Sequence, residues 1–328
     1  MNLKGTFVCE PYYRKNKIFD ENNPSNSKYY QLKKEFQKNH VRVFTEDILP
    51  ESEADFSIYI DFKKPANKKN YLIVNEPQSI IKENHQLEKL KDFDKVFTWN
   101  DDLIDNKKFF KYQLSHDFDK INRVKLEKDQ KGFCMVISNK KSNFKNENYS
   151  LRYEIIDFFS RNSDLFHLYG KNWDKFSHQN YFVDYLFRKC KSSPPKAWQG
   201  EIVDKNNLFS SIEKLNKVTK YQFQFAIENI KNVNGYISEK IIDCFFSGNI
   251  PIYSGAKNIN HYVPDETFIN LDKFKKLSHA FHYIKSLNNE DLKKMKEEGQ
   301  KFINSSRSNI FESNHNAKII VKNILNDF

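Results

Sequence analysis

The sequence predicts an α/β fold with mostly parallel sheets, built as two successive batches of β–α units. Three observations predict it. Short apolar runs alternate with longer amphipathic ones, the pattern of strands joined by helical crossovers. The chain has 328 residues, about two domains at roughly 150 residues each. The polar stretch Ile121–Lys131 (INRVKLEKDQK) separates the batches and reads as a linker or hinge. Hydrophobic residues make up 38% and include 30 Phe and 17 Tyr, enough for a packed core and against wholesale disorder.

The first batch has strand candidates at Gly5–Glu10, Val41–Thr45, Phe56–Phe62, Tyr71–Asn75 and Lys95–Trp99. Helix candidates lie at Tyr29–Asn39 and Ser79–Leu90. The second batch has strand candidates at Phe133–Ser138, Phe166–Tyr169, Tyr221–Ala226, Ile250–Tyr253 and Phe268–Leu271. Its helix candidates are Ser150–Arg161, Ser210–Lys217, Ser238–Ser247 and Lys276–Leu287. In Ser150–Arg161, Leu151, Ile155, Phe158 and Phe159 share one helical face. Ser192–Asn207, with Pro194-Pro195, reads as a surface loop. The tail Asn316–Phe328 repeats apolar residues at Ile320, Val321, Ile324, Leu325 and Phe328. That helix is expected to dock on the body of the protein; an interfacial membrane helix is the lesser reading.

Composition excludes several functions. The 8 glycines show neither G-x-G-x-x-G nor Walker A spacing, so any nucleotide is held without a glycine cradle. Cys9, Cys134, Cys190 and Cys244 form no C-x-x-C, which removes metal-site spacing and fits a reducing cytosol. The N-terminus lacks a signal-peptide apolar run, and no window has transmembrane length. The expected location is therefore cytoplasmic, with room for peripheral contact at the inner membrane face. Lys+Arg number 54 against 43 Asp+Glu, a net charge of +11. The basic pairs are scattered rather than striped, so a solvated surface comes first and an anionic membrane or substrate second.

The chemistry concentrates in Tyr221–Leu271. Tyr221, Phe223 and Phe225 alternate with Gln222 and Gln224 as a strand does. Glu228 and Asn229 follow at its carboxyl end, where open α/β sheets bind ligands. After Gly235 come Tyr236-Ile237-Ser238-Glu239-Lys240. Ser238 suits the N-cap of the next helix, whose free N–H groups and dipole attract anions. Lys240 opposes that dipole in the first turn, which makes sense if it meets phosphate. The bland alternative leaves Tyr236 and Glu239 as surface residues and pairs Lys240 with Glu239 or Asp243.

These residues resemble the donor-binding motif of the glycosyltransferase family 10 α1,3/4-fucosyltransferases. The motif's aromatic-x-aromatic strand and Phe-Glu-Asn stand here as Tyr221–Asn229, with Ile227 in place of Phe. Its Tyr-Ile/Val-Thr-Glu-Lys stands as Tyr236–Lys240, with Ser238 for Thr, and its small-apolar-Pro strand as Ile250–Tyr253. Tyr262-Val263-Pro264 and Phe268–Asp272 continue the match. KGFCMVISN at Lys131–Asn139, Arg152 and Leu168-Tyr169-Gly170 resemble the start of the donor domain. YLIVNEPQS at Tyr71–Ser79 and Phe97-Thr98-Trp99 resemble the acceptor side. The first seventy residues have no such support.

The resemblance implies a GT-B architecture: two Rossmann-like domains facing across a cleft, with a C-terminal helix. Residues 1–130 would bind the acceptor, 131–305 the GDP-sugar donor, and 306–328 would form the amphipathic helix. The implied reaction transfers L-fucose from GDP-β-L-fucose, with inversion, to a glycan hydroxyl. An N-acetyllactosamine unit or a lipopolysaccharide chain would serve as acceptor, in an α1,3-type linkage. Glu76 would be the general base, its carboxyl group raised by a desolvated cleft. Arg152 would hold the diphosphate with a bidentate fork, and Lys240 would add a second cation. Glu239 would hold sugar or ribose hydroxyls and Tyr236 would contact the nucleotide-sugar. Asn229, Glu228 and Ser238 would bind or shape the pocket. No cofactor beyond the donor substrate is implied, and no divalent metal: Asp55, Asp61, Asp92-x-Asp94 and Asp117-x-Asp119 lack a supporting context. Nucleic acid is not an expected partner. A transferase of the same fold using another GDP-sugar is one alternative; a non-catalytic binder of nucleic acid or anionic lipid is another.

Overall fold

The computed structural model describes residues 3–23, 26–118, 124–170, 173 and 211–328. Its regular elements run β1 (Lys4–Val8), α1 (Ser27–Lys38), β2 (Arg42–Thr45), β3 (Phe56–Ile60), β4 (Asn70–Ile73), α2 (Leu87–Leu90), β5 (Lys95–Thr98) and β6 (Phe109–Lys111). There follow β7 (Phe133–Val136), α3 (Tyr149–Asn162), β8 (Phe166–Tyr169), α4 (Ser211–Val218), β9 (Phe223–Ile227), α5 (Glu239–Phe246) and β10 (Ile250–Ser254). The chain continues with β11 (Ile269–Asn270), α6 (Leu277–Ser286), α7 (Asn289–Ile303) and α8 (Ser313–Leu325). They form two compact units. The first comprises Met1–Asn122, Val233–Glu239 and Ser306–Phe328; the second comprises Arg123–Asn232 and Lys240–Ser305.

The first unit holds a six-stranded sheet in the order β2-β1-β3-β4-β5-β6, with every pairing parallel. A parallel sheet covered on both faces needs nearly continuous apolar strands, and β3 (FSIYI) is buried throughout. On α1, Tyr29, Leu32 and Phe36 recur at helical spacing and face the core. Helix α8 packs on α1 and sinks Ala317, Ile320, Val321 and Ile324 into the same core. At about 1.5–3 kcal/mol for each large aliphatic side chain, this burial is a substantial share of the unit's stability. The expected docking of the tail is what the structure shows. Leu325 of the same repeat is half-buried and Phe328 is exposed. Among the described residues, no helix is long and apolar enough to cross a membrane.

The second unit holds a five-stranded parallel sheet, β11-β10-β9-β7-β8. Its core stacks Phe133 on Phe223 at 5.1 Å and sets Phe159 edge-on to Phe225 at 4.8 Å. In both sheets the strand order reverses once, between β1 and β3 and between β7 and β9. Such reversals open a crevice at the strands' carboxyl ends.

Some elements differ from the sequence reading. Ser79–Leu90 is not one helix: a 3-10 turn at Lys82–His85 precedes the single turn of α2. The Asn84 side chain points inward, accepting from the Phe62 N–H at 2.7 Å and donating to Asp61 at 2.7 Å and to the Glu76 carbonyl at 3.0 Å. Those bonds take the segment off a helical path, and Ile80 and Leu87 are exposed. Phe268–Leu271 shrinks to the two residues of β11. Unforeseen were β6, too short for a period to register, and α7, whose Leu292, Met295 and Phe302 are diluted by charge. Helix α7 starts at a capping box between Asn288 and Asp291.

Within the linker stretch, Ile121–Arg123 lie outside the described residues. Residues 124–131 have no helix or strand, and the Gln130 amide pins them by donating to the Ser247 and Thr219 carbonyls. Ser192–Asn207, Cys190 and Ser210 lie outside the described residues. Cys9, Cys134 and Cys244 are buried and free; burial pushes the Cys9 thiol up to about 12.

Candidate active site

In the second unit the side chains gather at the sheet's reversal point. Arg152 lies in the first turns of α3, the helix that follows β7, and is only 2% exposed. Its Nη2 donates to the Ile227 carbonyl at 3.0 Å and to Asn229 Oδ1 at 2.8 Å. The guanidinium also lies 4.5 Å from the centre of the Tyr149 ring. A buried cation is tolerated only with such partners, and here they fix its position at the carboxyl end of β9. The Asn229 carbonyl accepts the Asn148 N–H at 3.0 Å, tying α3 to the same strand end.

Glu228 is wholly buried, and Lys240 Nζ lies 3.3 Å from its Oε2. That carboxylate is neither of the partners the sequence suggested. Asp243 instead pairs with Lys214. Glu228 fits because residue 255 is glycine: a Cβ there would come within 2.5 Å of Glu228 Cγ and 2.6 Å of the Tyr253 hydroxyl. The Gly255 N–H and the Ser254 hydroxyl both donate to Asp272, at 3.3 and 2.8 Å. Asn148 Nδ2 donates to the Ser254 carbonyl at 3.3 Å. Asn148, Ser254 and Asp272 were not foreseen, because each becomes part of the cluster only through strand register.

Tyr236, Ser238 and Glu239 fold with the first unit. Their segment crosses the carboxyl end of β5. Gln113 Nε2 donates to the Gly235 and Ile237 carbonyls, both at 3.1 Å, and Asn234 Nδ2 donates to Asp102 at 2.8 Å. Gly235 has φ +81°, and a Cβ there would stand 2.1 Å from the Trp99 carbonyl oxygen; glycine is what that approach permits. Tyr236 is no surface residue. It is buried edge-on against Trp99 at 4.7 Å. Ser238 is buried directly before α5, and Glu239 is half-buried as its first residue.

Glu76 is half-buried just past β4. Its backbone N–H donates to Asp61 Oδ1 at 2.9 Å, and its carbonyl accepts from Asn84 Nδ2 at 3.0 Å and meets His85 Nε2 at 3.2 Å. The same Asp61 oxygen takes the Asn75 N–H at 2.8 Å. Asp61 itself stands at φ +58°. The acidic residue set aside as lacking context is thus the anchor of the loop that carries the candidate base. Lys28 donates from Nζ to Asn75 Oδ1 at 2.8 Å. Burial holds the Lys28 ammonium below its ordinary value, against the opposing negative charges of Asp61, Glu239 and Glu76. Burial likewise holds His85 below its ordinary value.

Comparison with known proteins adds a match to one family. Residues 195–296 match the family model described as Glycosyltransferase family 10 (fucosyltransferase) C-term. The Helicobacter pylori protein named Alpha-(1,3)-fucosyltransferase FucT is 34% identical over 110 residues, which is 33% of this chain and 22% of that one. The chain thus matches about a fifth of that relative's length. The solved structure of an α1,3-fucosyltransferase with GDP shares the fold, with a TM-score of 0.64 at 16% identity over 99% of this chain and 91% of that one. A second, of an α1,3-fucosyltransferase with GDP-fucose, gives 0.60 at 17% identity over 98% and 90%. The likeness to glycosyltransferase family 10 thus rests on residues 195–296, which match its fucosyltransferase C-terminal domain, while the solved structures share the fold.

Proposed function

We propose that this protein is an inverting fucosyltransferase that moves L-fucose from GDP-β-L-fucose to a glycan hydroxyl in an α1,3-type linkage. The acceptor is an N-acetyllactosamine-like or lipopolysaccharide glycan. The observation that carries the reading is the buried Arg152 at the reversal point of the second unit's sheet, bonded to Asn229 beside the Glu228–Lys240 pair. Arg152 and Lys240 meet the diphosphate as charge builds on it. Asn229 orients Arg152, and Glu228 orients Lys240. Glu239 holds sugar hydroxyls, while Tyr236 and Ser238 fix the segment that presents it.

The acceptor oxygen attacks the anomeric carbon from the face opposite GDP. As that bond forms, the bond from carbon to phosphate oxygen breaks and GDP leaves with the electron pair. Glu76 takes the hydroxyl proton, which calls for hydrogen-bonding reach of the acceptor oxygen. No cofactor beyond the donor is needed in this scheme. The protein works in the cytoplasm, and contact with an anionic membrane would rest on its net charge of +11.

The test is a thermal-shift panel of GDP, ADP and UDP, followed by GDP-fucose and other GDP-sugars. A selective ligand at a hundredfold its Kd adds about 2.7 kcal/mol of stability. GDP is expected to stabilise, and ADP and UDP to do little. No response to GDP overturns the proposal; a response to another GDP-sugar with none to GDP-fucose changes the sugar.

A further inference from the structure

The carboxyl-end crevice of the first unit lies between β1 and β3, and the fold fills its rim with aromatic surface. The chain leaves β1 into a loop that carries Tyr12 and Tyr13. Tyr12 is 68% exposed, with its ring centre 4.3 Å from that of Tyr13. Tyr13 packs edge-on against Tyr29 at 6.1 Å, and the Tyr29 hydroxyl accepts from Asn75 Nδ2 at 3.1 Å. Asn75 precedes Glu76. A continuous set of contacts therefore runs from the exposed ring to the residue next to the candidate base.

The loop is built to stay in place. Lys15 and Asn16 stand at φ +58° and +56°, two consecutive left-handed residues that cost free energy unless held. Arg14 pairs with Glu46 at 2.7 Å, and the Lys15 N–H donates to Asp47 at 2.9 Å. Asn16 and Thr45 exchange two bonds of 3.0 Å. Lys63, just past β3, donates to the Cys9 carbonyl on the other side. A lone exposed tyrosine needs no explanation. A tyrosine pair on a clamped loop at a sheet's reversal point does, since that is where such sheets bind ligands. Parallel strands lie about 4.8 Å apart, so the ends of β1 and β4, with β3 between them, are about 10 Å apart, roughly the span of one or two sugar rings. The Tyr12 phenol sits above its ordinary value, first through desolvation. A hydrogen bond with Tyr13 pulls it down, and the charges of Glu10, Glu76 and Asp61 raise it, which agrees with that proximity.

We propose that Tyr12, backed by Tyr13, is the platform on which a pyranose ring of the acceptor stacks, placing its hydroxyl toward Glu76. Tyrosine suits the task because it offers a large rigid apolar face beside a polar tip, at little entropy cost. The proposal rests on the transferase reading above and names the part of the acceptor site that selects the sugar.

The test measures N-acetyllactosamine binding by saturation-transfer NMR with GDP present, on the whole chain and on Tyr12→Ala and Tyr12→Phe. GDP affinity is measured in the same samples. Wild type is expected to bind the disaccharide at millimolar concentration, Tyr12→Ala to lose about tenfold or more, and Tyr12→Phe to stay within about twofold. GDP affinity should not move in any of them. Equal disaccharide binding by Tyr12→Ala overturns the platform, and so does absence of binding by a wild type that binds GDP. Failure of wild type to bind GDP instead defeats the transferase reading on which the platform rests.

Discussion

One carboxylate oxygen of Asp61 holds the backbone of Glu76, accepting its N–H at 2.9 Å while also taking the Asn75 N–H and the Asn84 side chain. Removing that oxygen frees the candidate base and leaves three donors without it, at a residue with φ +58°. Asp61→Ala should destabilise by about 3 kcal/mol. Asp61→Asn keeps an acceptor and tolerates the left-handed backbone, so it should cost about 1 kcal/mol. Urea unfolding gives both values. Fucose transfer should fall about tenfold in Asp61→Ala and recover in Asp61→Asn, with GDP affinity constant. Equal transfer by all three proteins would separate Asp61 from the chemistry.

Glu76→Gln keeps the shape of the side chain and removes its basicity. Transfer should fall by about a hundredfold or more, the usual scale for a general base. GDP binding by calorimetry should match wild type, and an unchanged rate would remove Glu76 from the mechanism.

Lys240 and Glu228 are separable by a double-mutant cycle. Lys240→Ala takes the cation away from a wholly buried carboxylate. It should cost about 2 kcal/mol of stability, less than a fully buried pair because Lys240 keeps some exposure. Adding Glu228→Gln should restore most of that stability but none of the lost GDP affinity. Guanosine binding should change less than GDP binding. If both ligands weaken alike, Lys240 acts only through the fold.

Gly235→Ala would drive a Cβ against the Trp99 carbonyl at φ +81°. A cost of about 2–4 kcal/mol is expected from strain and displaced backbone. Tryptophan emission should shift red as Trp99 loses the cover of Tyr236. An unshifted spectrum with wild-type stability would show that the segment absorbs the methyl group.

His85 gives a pH dependence. Its burial lowers the folded-state value below the ordinary 6.5, so the unfolded chain takes up the proton first. Stability from this group is full above about 6.5 and falls as pH drops through that value toward the lower folded-state one. His85→Gln should flatten that part of the stability profile. A parallel profile for the two proteins would assign the acid loss elsewhere.

The two batches of β–α units were legible because parallel strands write themselves as apolar runs, as FSIYI at Phe56–Ile60 does. Asn229 and Lys240 could be picked as candidates because β9, its following loop and α5 keep them in one short stretch, whereas Arg152, on α3, was picked from the resemblance alone. Asp61 was not, since its tie to Glu76 exists only once β3 and β4 pair. Tyr236 was located as a motif residue, but its burial depends on Trp99, far away in sequence. The inward turn of Asn84 also defeats a reading by period, because its partners lie in two other loops. Tyr12 and Tyr13 sit in a stretch that matches no motif, and they gain meaning only from the strand order.

The division of the chain among the units constrains how the protein can be cut. The first unit draws on three separate stretches and the second on two, so the polypeptide passes between them four times. A fragment ending near residue 122 would expose the groove on α1 that Ala317, Ile320, Val321 and Ile324 of α8 fill. A fragment starting there would carry α8 with nothing to cover. Recombinant halves should aggregate singly and regain solubility when co-expressed, so neither half is a self-sufficient building block for engineering.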